Sequence, residues 1–302
     1  MKRIIIILFF ITAQQALPQN FLMTGRQESV INYQLSQIFT PAGDTRSLII
    51  SFVIPESFES PTTSQRIEQF RINAVPEPEN RIEKTDKRGN RIVEMTWSRP
   101  RGPVNADVSF TARNRTGLGA FRSQAPFPLD NLPAGMSDFL KATEQVQSDH
   151  PAIQRKSREL TAGAQTEFDA VRRILTWLVD NMSYVSPPEQ YDALYSFQTG
   201  KGNCQNYSHL AAALMRAAGI PVRIVNGITL NQPFTAQTDD GEITFRMGQG
   251  RHSWIEVYYP DLGWMPYEPQ QTELFVSNRF PDSSMSLTSP NSPSAINSRT
   301  VL

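Results

Sequence analysis

The hydrophobic residues of this 302-residue chain follow one repeat in its first half and a different one in its second. From Phe21 to Phe121, short runs rich in β-branched and aromatic residues alternate with Pro, Gly and Asn, which is typical of antiparallel strands joined by turns. The runs are residues 30–39, 47–54, 66–75, 81–85, 91–97 and 104–112. They predict a β-sandwich domain over residues 21–125, in which we find no titratable cluster of catalytic type.

Helical periodicity begins after the proline-rich stretch Ala125–Pro133, which we interpret as a linker. Thr166 and Asp169 resemble a capping box at the start of a helix. The apolar residues that share one face of this helix are Phe168, Val171, Ile174, Leu175, Leu178 and Met182. Residues with this spacing are expected to form a core.

A second helix is expected to begin near Cys204, with Asn203 as its N-cap, and to stop at Gly219. Four strands are expected after it, at residues 222–230, 243–246, 253–259 and 264–267. The fold class is therefore predicted to be α+β, with a second domain over residues 133–278. The Ser-, Pro- and Asn-rich residues 279–302 predict a disordered tail.

The first residues have the pattern of a secretory signal. Lys2 and Arg3 precede the apolar run Ile4–Ile11, and small residues follow it. The run is too short to cross a bilayer, which takes about 20 residues in a helix. We therefore predict a signal peptide over residues 1–18, a periplasmic or secreted protein and no membrane span. A buried N-terminal strand stays open as the alternative.

The charges and the metal-binding residue types exclude several partners. Lys and Arg number 29, Asp and Glu also number 29, so the net charge is zero and no basic excess indicates nucleic acid. The chain has three histidines and one cysteine, a set too small for a metal constellation. We expect no metal and no cofactor.

The single cysteine, Cys204, rules out an intramolecular disulfide. In an exported protein such a residue is an inert buried side chain, an intermolecular link or a reactive thiol. Cys204 stands where a helix should begin, and the free N–H groups and dipole of a helix N-terminus favour the thiolate. Lys201 adds positive potential, but position alone leaves the inert alternative open.

A nucleophilic thiol needs a base, and three histidines could supply it. His209 lies five residues after Cys204, which places it about 140° round the helix at about 100° per residue, away from the thiol. We therefore expect a structural or surface role for His209, and a surface position for His150, which precedes a proline. His252 precedes an expected buried strand and is well placed to meet a helix N-terminus.

Three blocks of the second half resemble the transglutaminase-like superfamily. The first holds Gly200-Lys-Gly-Asn-Cys204, an alanine-rich helix and Gly219-Ile-Pro, and the second is His252-Ser-Trp-Ile-Glu-Val. The third is Gly263-Trp-Met-Pro-Tyr-Glu268-Pro. The blocks cover residues 168–269, and the resemblance implies a papain-like core in which a nucleophile helix packs on an antiparallel sheet.

The resemblance further implies Cys204 as nucleophile, His252 as base and Glu268 as the acid that orients the imidazole. Glu268 replaces the aspartate usual in the family, so Asp261 stays open as an alternative acceptor. Gln198 matches the offset of the oxyanion glutamine in papain-like proteases, although an ordinary loop glutamine would have the same spacing. Backbone N–H groups at the helix start are natural oxyanion donors.

The chemistry implied by the resemblance is acyl transfer from an amide of a peptide or protein substrate, through a cysteinyl thioester. Because exported bacterial members of this superfamily commonly hydrolyse their substrates, the resemblance favours hydrolysis over crosslinking. The alternative is a catalytically weak or inactive binding module, in which the N-terminal sandwich docks a partner.

Overall fold

A computed structural model describes residues 25–86, 89–118, 122–229, 234–238, 241–245, 250–270 and 296–298. The predicted signal peptide lies outside these residues, as does the predicted tail except for residues 296–298. Those three residues form a short strand within the stretch predicted to be disordered. Among the described residues, no helix combines the length and the apolar character that a bilayer crossing needs.

Two antiparallel sheets form the N-terminal part of the molecule. Their strands are β1 (Gly25–Phe39), β2 (Ser47–Val53), β3 (Phe58–Glu59), β4 (Thr63–Val75), β5 (Asn80–Thr85), β6 (Arg91–Ser98) and β7 (Val104–Leu118). One sheet has the order β1-β7-β4-β3 and the other the order β2-β6-β5. The predicted N-terminal arrangement of antiparallel sheets is thus confirmed.

One core lies between the two sheets, because every second side chain of each strand points inward. On β6 the inward residues are Val93, Met95 and Trp97, and on β7 they include Val108 and Phe110. Burying a side chain of this size stabilises a fold by about 1.5–3 kcal/mol. The apolar residues that alternate along each strand in the sequence are therefore the ones buried between the two sheets.

In the described residues of the second part, four α-helices accompany an antiparallel sheet. Its elements are a 3₁₀ helix (Met136–Leu140), α1 (Pro151–Thr161), α2 (Glu167–Asn181), β8 (Ser183–Tyr184), α3 (Ala193–Thr199), β9 (Lys201–Gly202), α4 (Cys204–Ala217), β10 (Val222–Thr229), β11 (Phe234–Thr238), β12 (Gly241–Phe245), β13 (Gly250–Tyr259), β14 (Gly263–Tyr267) and β15 (Ile296–Ser298). The sheet has the order β14-β13-β10-β15, and β11 pairs with β12 as a separate hairpin.

Helix α4 is the centre of this part. It contacts β10 and β13 on one side and α1, α2 and α3 on the other. Every residue from Asn206 to Arg216 is buried, and the run Ala211–Ala213 is wholly inaccessible. Small side chains let the neighbouring elements approach α4 closely on all sides. The position and extent predicted for this helix are confirmed.

The residues just before the stretch predicted as a linker, and the first residues of that stretch, are held against the second part. The hydroxyl of Ser123 and the backbone N–H of Gln124 donate to the two carboxylate oxygens of Asp261, at 2.7 and 2.8 Å. The backbone N–H of Phe127 donates to the carbonyl of Gln165 at 3.1 Å. Residues 123–127 are therefore part of the packed second half rather than a free connection.

Candidate active site

Helix α4 begins at Cys204 because two asparagines cap it. The side chain of Asn203 accepts from the backbone N–H of Gln205 at 3.0 Å, and the side chain of Asn206 accepts from the N–H of Asn203 at 3.1 Å. This reciprocal pair is a capping box, in which asparagine stands in both positions. It places Cys204 in the first helical position, half-buried, and leaves the backbone N–H of Cys204 itself unused by the cap.

The two glycines before Cys204 are required by the packing of this turn. A Cβ at Gly202 would lie 2.2 Å from the Cβ of Asn206, so any side chain there would displace the cap. Gly200 has a φ of 65°, and its Cβ would meet the carbonyl oxygen of Asn181 at 2.8 Å. Asn206 also donates to the carbonyl of Gln190 at 3.0 Å, which ties the cap to the preceding loop.

Strands β13 and β14 bring His252 and Glu268 together. The two strands pair antiparallel, with Ile255 opposite Tyr267, so Glu268 lies just beyond the end of β14 and beside the His252 end of β13. His252 Nε2 forms a very short hydrogen bond with Glu268 Oε2. The other oxygen, Oε1, accepts from the backbone N–H of Gln270 at 3.1 Å. Both carboxylate oxygens are therefore fixed.

His252 and Cys204 line the same cavity, and Cys204 acts electrostatically on the imidazole of His252. Since Nε2 is held by Glu268, Nδ1 is the ring nitrogen left to face the sulfur. Burial alone would lower the pKa of His252, but the negative charges of Glu268 and Cys204 and the hydrogen bond to Glu268 outweigh it and raise the pKa to about 10. A protonated imidazole therefore faces the sulfur at neutral pH.

Trp254 and Glu256, which lie on the same face of β13 as His252, pack next to the site. The ring of Trp254 stacks beside that of His252, with 6.1 Å between the ring centroids and 26° between the planes. Glu256 forms a buried ion pair with Arg223, whose Nε lies 2.6 Å from the carboxylate. The guanidinium of Arg223 in turn lies 4.3 Å above the ring of Trp264. These contacts give the second and third sequence blocks a packing role.

The remaining candidates of the sequence analysis lie elsewhere. Asp261 accepts from Ser123 and Gln124 and does not contact His252, so the alternative acceptor is wrong. Gln198 is exposed near the end of α3 and does not line the cavity beside Cys204. The sequence offset it shares with papain-like proteases is therefore a coincidence of spacing in this chain.

The other two histidines have structural roles. His209 is buried, and its Nδ1 lies 2.5 Å from the carbonyl oxygen of Tyr191. Burial lowers the pKa of His209, so it is neutral at pH 7. His150 is half-buried rather than on the surface, because its Nδ1 accepts from the N–H of Ala152 at 3.2 Å and caps α1. Neither ring is hydrogen-bonded to Cys204.

A cavity of about 820 Å³ lies between Cys204 and the N-terminal sandwich. Cys204, His252 and Arg251 border it on one side, and apolar side chains of the sandwich border it on the other. The part of the sequence that lines this second wall showed no sign of a site, because its residues alternate as ordinary core residues do. Among the described residues, no group of three or more His, Cys, Asp or Glu side chains is placed to hold a metal ion.

Comparisons with known proteins match the second part most clearly. Residues 154–269 match the model of the transglutaminase-like superfamily. The uncharacterized protein YebA of Bacillus subtilis is 33% identical over 119 residues, which are 37% of this chain and 16% of that protein. A protein-glutamine gamma-glutamyltransferase of Pseudomonas aeruginosa is 32% identical over 75 residues, which are 25% of this chain and 11% of that protein. The chain thus spans well under two thirds of either relative.

A solved structure extends the likeness to both parts of the chain. The crystal structure of a candidate cysteine protease from Cytophaga hutchinsonii superposes with a TM-score of 0.61 and 17% identity. The match covers 91% of this chain and 83% of that one, and it shows a shared fold. The members of the matching superfamily are cysteine-type enzymes. The chain therefore carries a transglutaminase-like domain over residues 154–269, which follows an N-terminal pair of antiparallel sheets.

Proposed function

We propose that this protein is an exported thiol enzyme that hydrolyses amide bonds of peptides or proteins through a cysteinyl thioester. The observation that carries the proposal is that Cys204 lines one cavity with His252, whose imidazole is hydrogen-bonded to Glu268. The series has the order of nucleophile, base and orienting acid that thiol catalysis needs. Export rests on Lys2, Arg3 and the apolar run that follows them.

In the first half of the reaction, the thiolate of Cys204 attacks the amide carbonyl carbon, and a carbon–sulfur bond forms. The carbonyl oxygen becomes an oxyanion, which accepts a hydrogen bond from the backbone N–H of Cys204 at the start of α4. The protonated imidazole of His252 then donates its proton to the amide nitrogen, the carbon–nitrogen bond breaks and the amine leaves. A thioester on Cys204 and a neutral His252 remain.

In the second half, neutral His252 takes a proton from a water molecule whose oxygen attacks the thioester carbon. The carbon–sulfur bond breaks, the carboxylic acid leaves, and Cys204 and His252 return to thiolate and imidazolium. Glu268 stabilises the cation in both halves. The large volume of the cavity supports water as the acceptor of the acyl group. Crosslinking would need a cleft that keeps water away from the thioester.

The test compares variants on fluorescein-labelled casein, with release of labelled peptides measured for hydrolysis and incorporation of dansylcadaverine for crosslinking. Cys204→Ala is expected to abolish activity, because the chain has no other thiol. His252→Ala is expected to lose nearly as much, since the members of such a unit act together. Each variant is first shown to melt as the wild type does.

Three results would contradict the proposal, two from this assay and one from the alkylation of Cys204. If Cys204→Ala still releases peptides, Cys204 is not the nucleophile. A folded wild type whose Cys204 reacts with iodoacetamide no faster than a free thiol would favour the inactive binding module instead. Amine incorporation that exceeds peptide release would keep the thioester and replace hydrolysis by crosslinking.

A further inference from the structure

We propose that the N-terminal sandwich forms the binding site for an apolar side chain of the substrate, next to the bond that Cys204 attacks. The inference rests on the proposed function and adds a substrate class to it: peptides with a large apolar residue near the cleaved amide. The observation behind it is that one cavity is shared by Cys204, His252 and the apolar interior of the sandwich.

The sandwich wall of the cavity is an open end of the sandwich core. Tyr33 pairs with Phe110 and Leu35 pairs with Val108 across β1 and β7, so the four side chains lie on one face of the sheet. The rings of Tyr33 and Phe110 are 4.8 Å apart between centroids. Tyr33 and Leu35 follow Ile31 on the inward face of β1, yet both stay partly exposed because they border the cavity.

The second sheet completes the wall from the other side. Phe52 and Val53 at the end of β2 line the same cavity and are only partly buried. A ligand that covers an exposed apolar surface in a concave site binds favourably, because apolar area is removed from water. The wall therefore suits an aliphatic or aromatic side chain, and it offers no charge for an acidic or basic one.

The facing wall carries polar groups suited to a peptide backbone. Asn203, Gln205, Asn226 and Ser253 line the cavity around Cys204 and His252. A peptide bound between the walls can direct its amide groups to this side and one side chain to the sandwich. The volume of about 820 Å³ lies within the range of small-ligand sites, roughly 300–1,000 Å³, so it holds more than an isolated amide.

Arg251 marks the rim where the two walls approach each other. It immediately precedes His252 on β13, and its charge acts on the hydroxyl of Tyr33, whose pKa is nevertheless raised because burial outweighs that charge. Tyr33 and Arg251 are therefore neighbours across the cavity. Because Tyr33 lines the cavity and is affected by the charge next to His252, it is the first residue to change.

The experiment uses the full chain and its single cysteine as a reporter. Rates of alkylation by iodoacetamide and by N-(2-phenylethyl)iodoacetamide are measured by intact mass, and each is divided by the rate of the same reagent with glutathione. The wild type is expected to favour the phenylethyl reagent by about tenfold, a preference typical of an apolar pocket. The variants Tyr33→Ala, Leu35→Ala and Phe52→Ala are expected to lose most of that preference, which is the ratio of the two corrected rates.

Ile38→Ala is the matched control, because Ile38 lies on the same strand with its side chain on the outer face, 72% exposed. It is expected to keep the full preference. The inference is overturned if the wild type shows no preference, or if the wall variants keep it. It is overturned equally if Ile38→Ala loses as much as they do. A slow iodoacetamide reaction of the wild type would instead contradict the proposed function, so the two failures are distinct.

Discussion

Glu268 determines the protonation of His252 as well as its orientation. Its carboxylate receives the Nε2 hydrogen bond on one oxygen and a backbone N–H on the other, and it is 7% exposed. Because burial by itself lowers the pKa of His252, the imidazolium exists at neutral pH only while the charges of Glu268 and Cys204 oppose burial. The extra methylene relative to aspartate does not prevent this contact.

We predict that Glu268→Gln moves the alkaline limit of activity to lower pH. His252 must be protonated to release the amine, so activity of the wild type should fall as pH rises through about 10, the raised pKa of His252. A glutamine keeps the shape but removes the charge, and burial then lowers that pKa. The measurement is kcat/KM for peptide hydrolysis from pH 5 to 11.

Asp261→Asn is the control for this profile, because Asp261 holds Ser123 and Gln124 and is not bonded to His252. It is expected to leave both pH limits unchanged. If Asp261→Asn shifts the alkaline limit and Glu268→Gln does not, then Asp261 is the orienting acid in solution and the role proposed for Glu268 is wrong.

At the residue level, the sequence placed the central three side chains and missed their surroundings. Cys204, His252 and Glu268 could be found because short blocks of sequence surround each of them, and the structure joins His252 to Glu268 and places Cys204 and His252 on one cavity. Tyr33 could not be found, since a residue that lines a cleft from the inner face of a strand has the same alternation as a core residue. Only the packing of two distant segments distinguishes them.

At the level of the elements, helix α2 begins with a carboxyl group that the sequence analysis did not single out. The predicted capping box is present in part, since Thr166 accepts from the N–H of Asp169 at 3.2 Å. Glu167, the first helical residue, is wholly buried, and neither of its carboxyl oxygens has a hydrogen-bond partner in the described part of the chain. Burial, and secondarily the charge of Asp261, raises the pKa of Glu167 to about 9.

We predict that Glu167→Gln makes the fold more stable at pH 8 and less sensitive to pH. A carboxyl whose pKa is raised on folding contributes its full stability below its unfolded pKa of 4.5, and that contribution is lost progressively as pH rises from 4.5 to about 9. An amide cannot ionise, so the loss disappears. We expect a gain of about 1–3 kcal/mol in the free energy of unfolding at pH 8.

The measurement is urea unfolding of both proteins at pH 5 and pH 8. Glu144→Gln, an exposed position in the same half of the chain, is the control and should change nothing. A Glu167→Gln protein that loses as much stability between the two pH values as the wild type would show that Glu167 is already ionised in the fold.

Long helices with clear capping residues could be predicted from the sequence, and short helices could not. Helix α4 was predicted with its N-cap and its stop, because Asn203 and Gly219 are strong local signals, and Gly219 indeed has a φ of 80°. Helices α1 and α3 were not predicted. Helix α3 has seven residues, and it is held by packing on α4 and by its cap at Asp192, neither of which a periodic pattern reveals.

At the scale of the whole molecule, the two halves have separate cores and share one cavity. The apolar cluster of the sandwich and that of the helical part have no residue in common. The domain limits at 21–125 and 133–278 stay a prediction, although the bonds of Ser123 and Gln124 to Asp261 place the start of the second packed unit before Pro133. The cavity beside Cys204 has one wall from each half, so the sandwich completes a site that the helical part alone would leave open.

The central claim is that Cys204 carries the acyl group between two half-reactions. The most direct measurement is the intact mass of the protein, quenched in acid within seconds of mixing with the p-nitrophenyl ester of N-acetylphenylalanine. We expect an added N-acetylphenylalanyl mass on the wild type, located at Cys204 by fragmentation, which builds up during the burst of p-nitrophenol release and decays once the ester is consumed. The same mass on Cys204→Ala, or steady turnover by a wild type on which the acyl group is found at another residue, would contradict it.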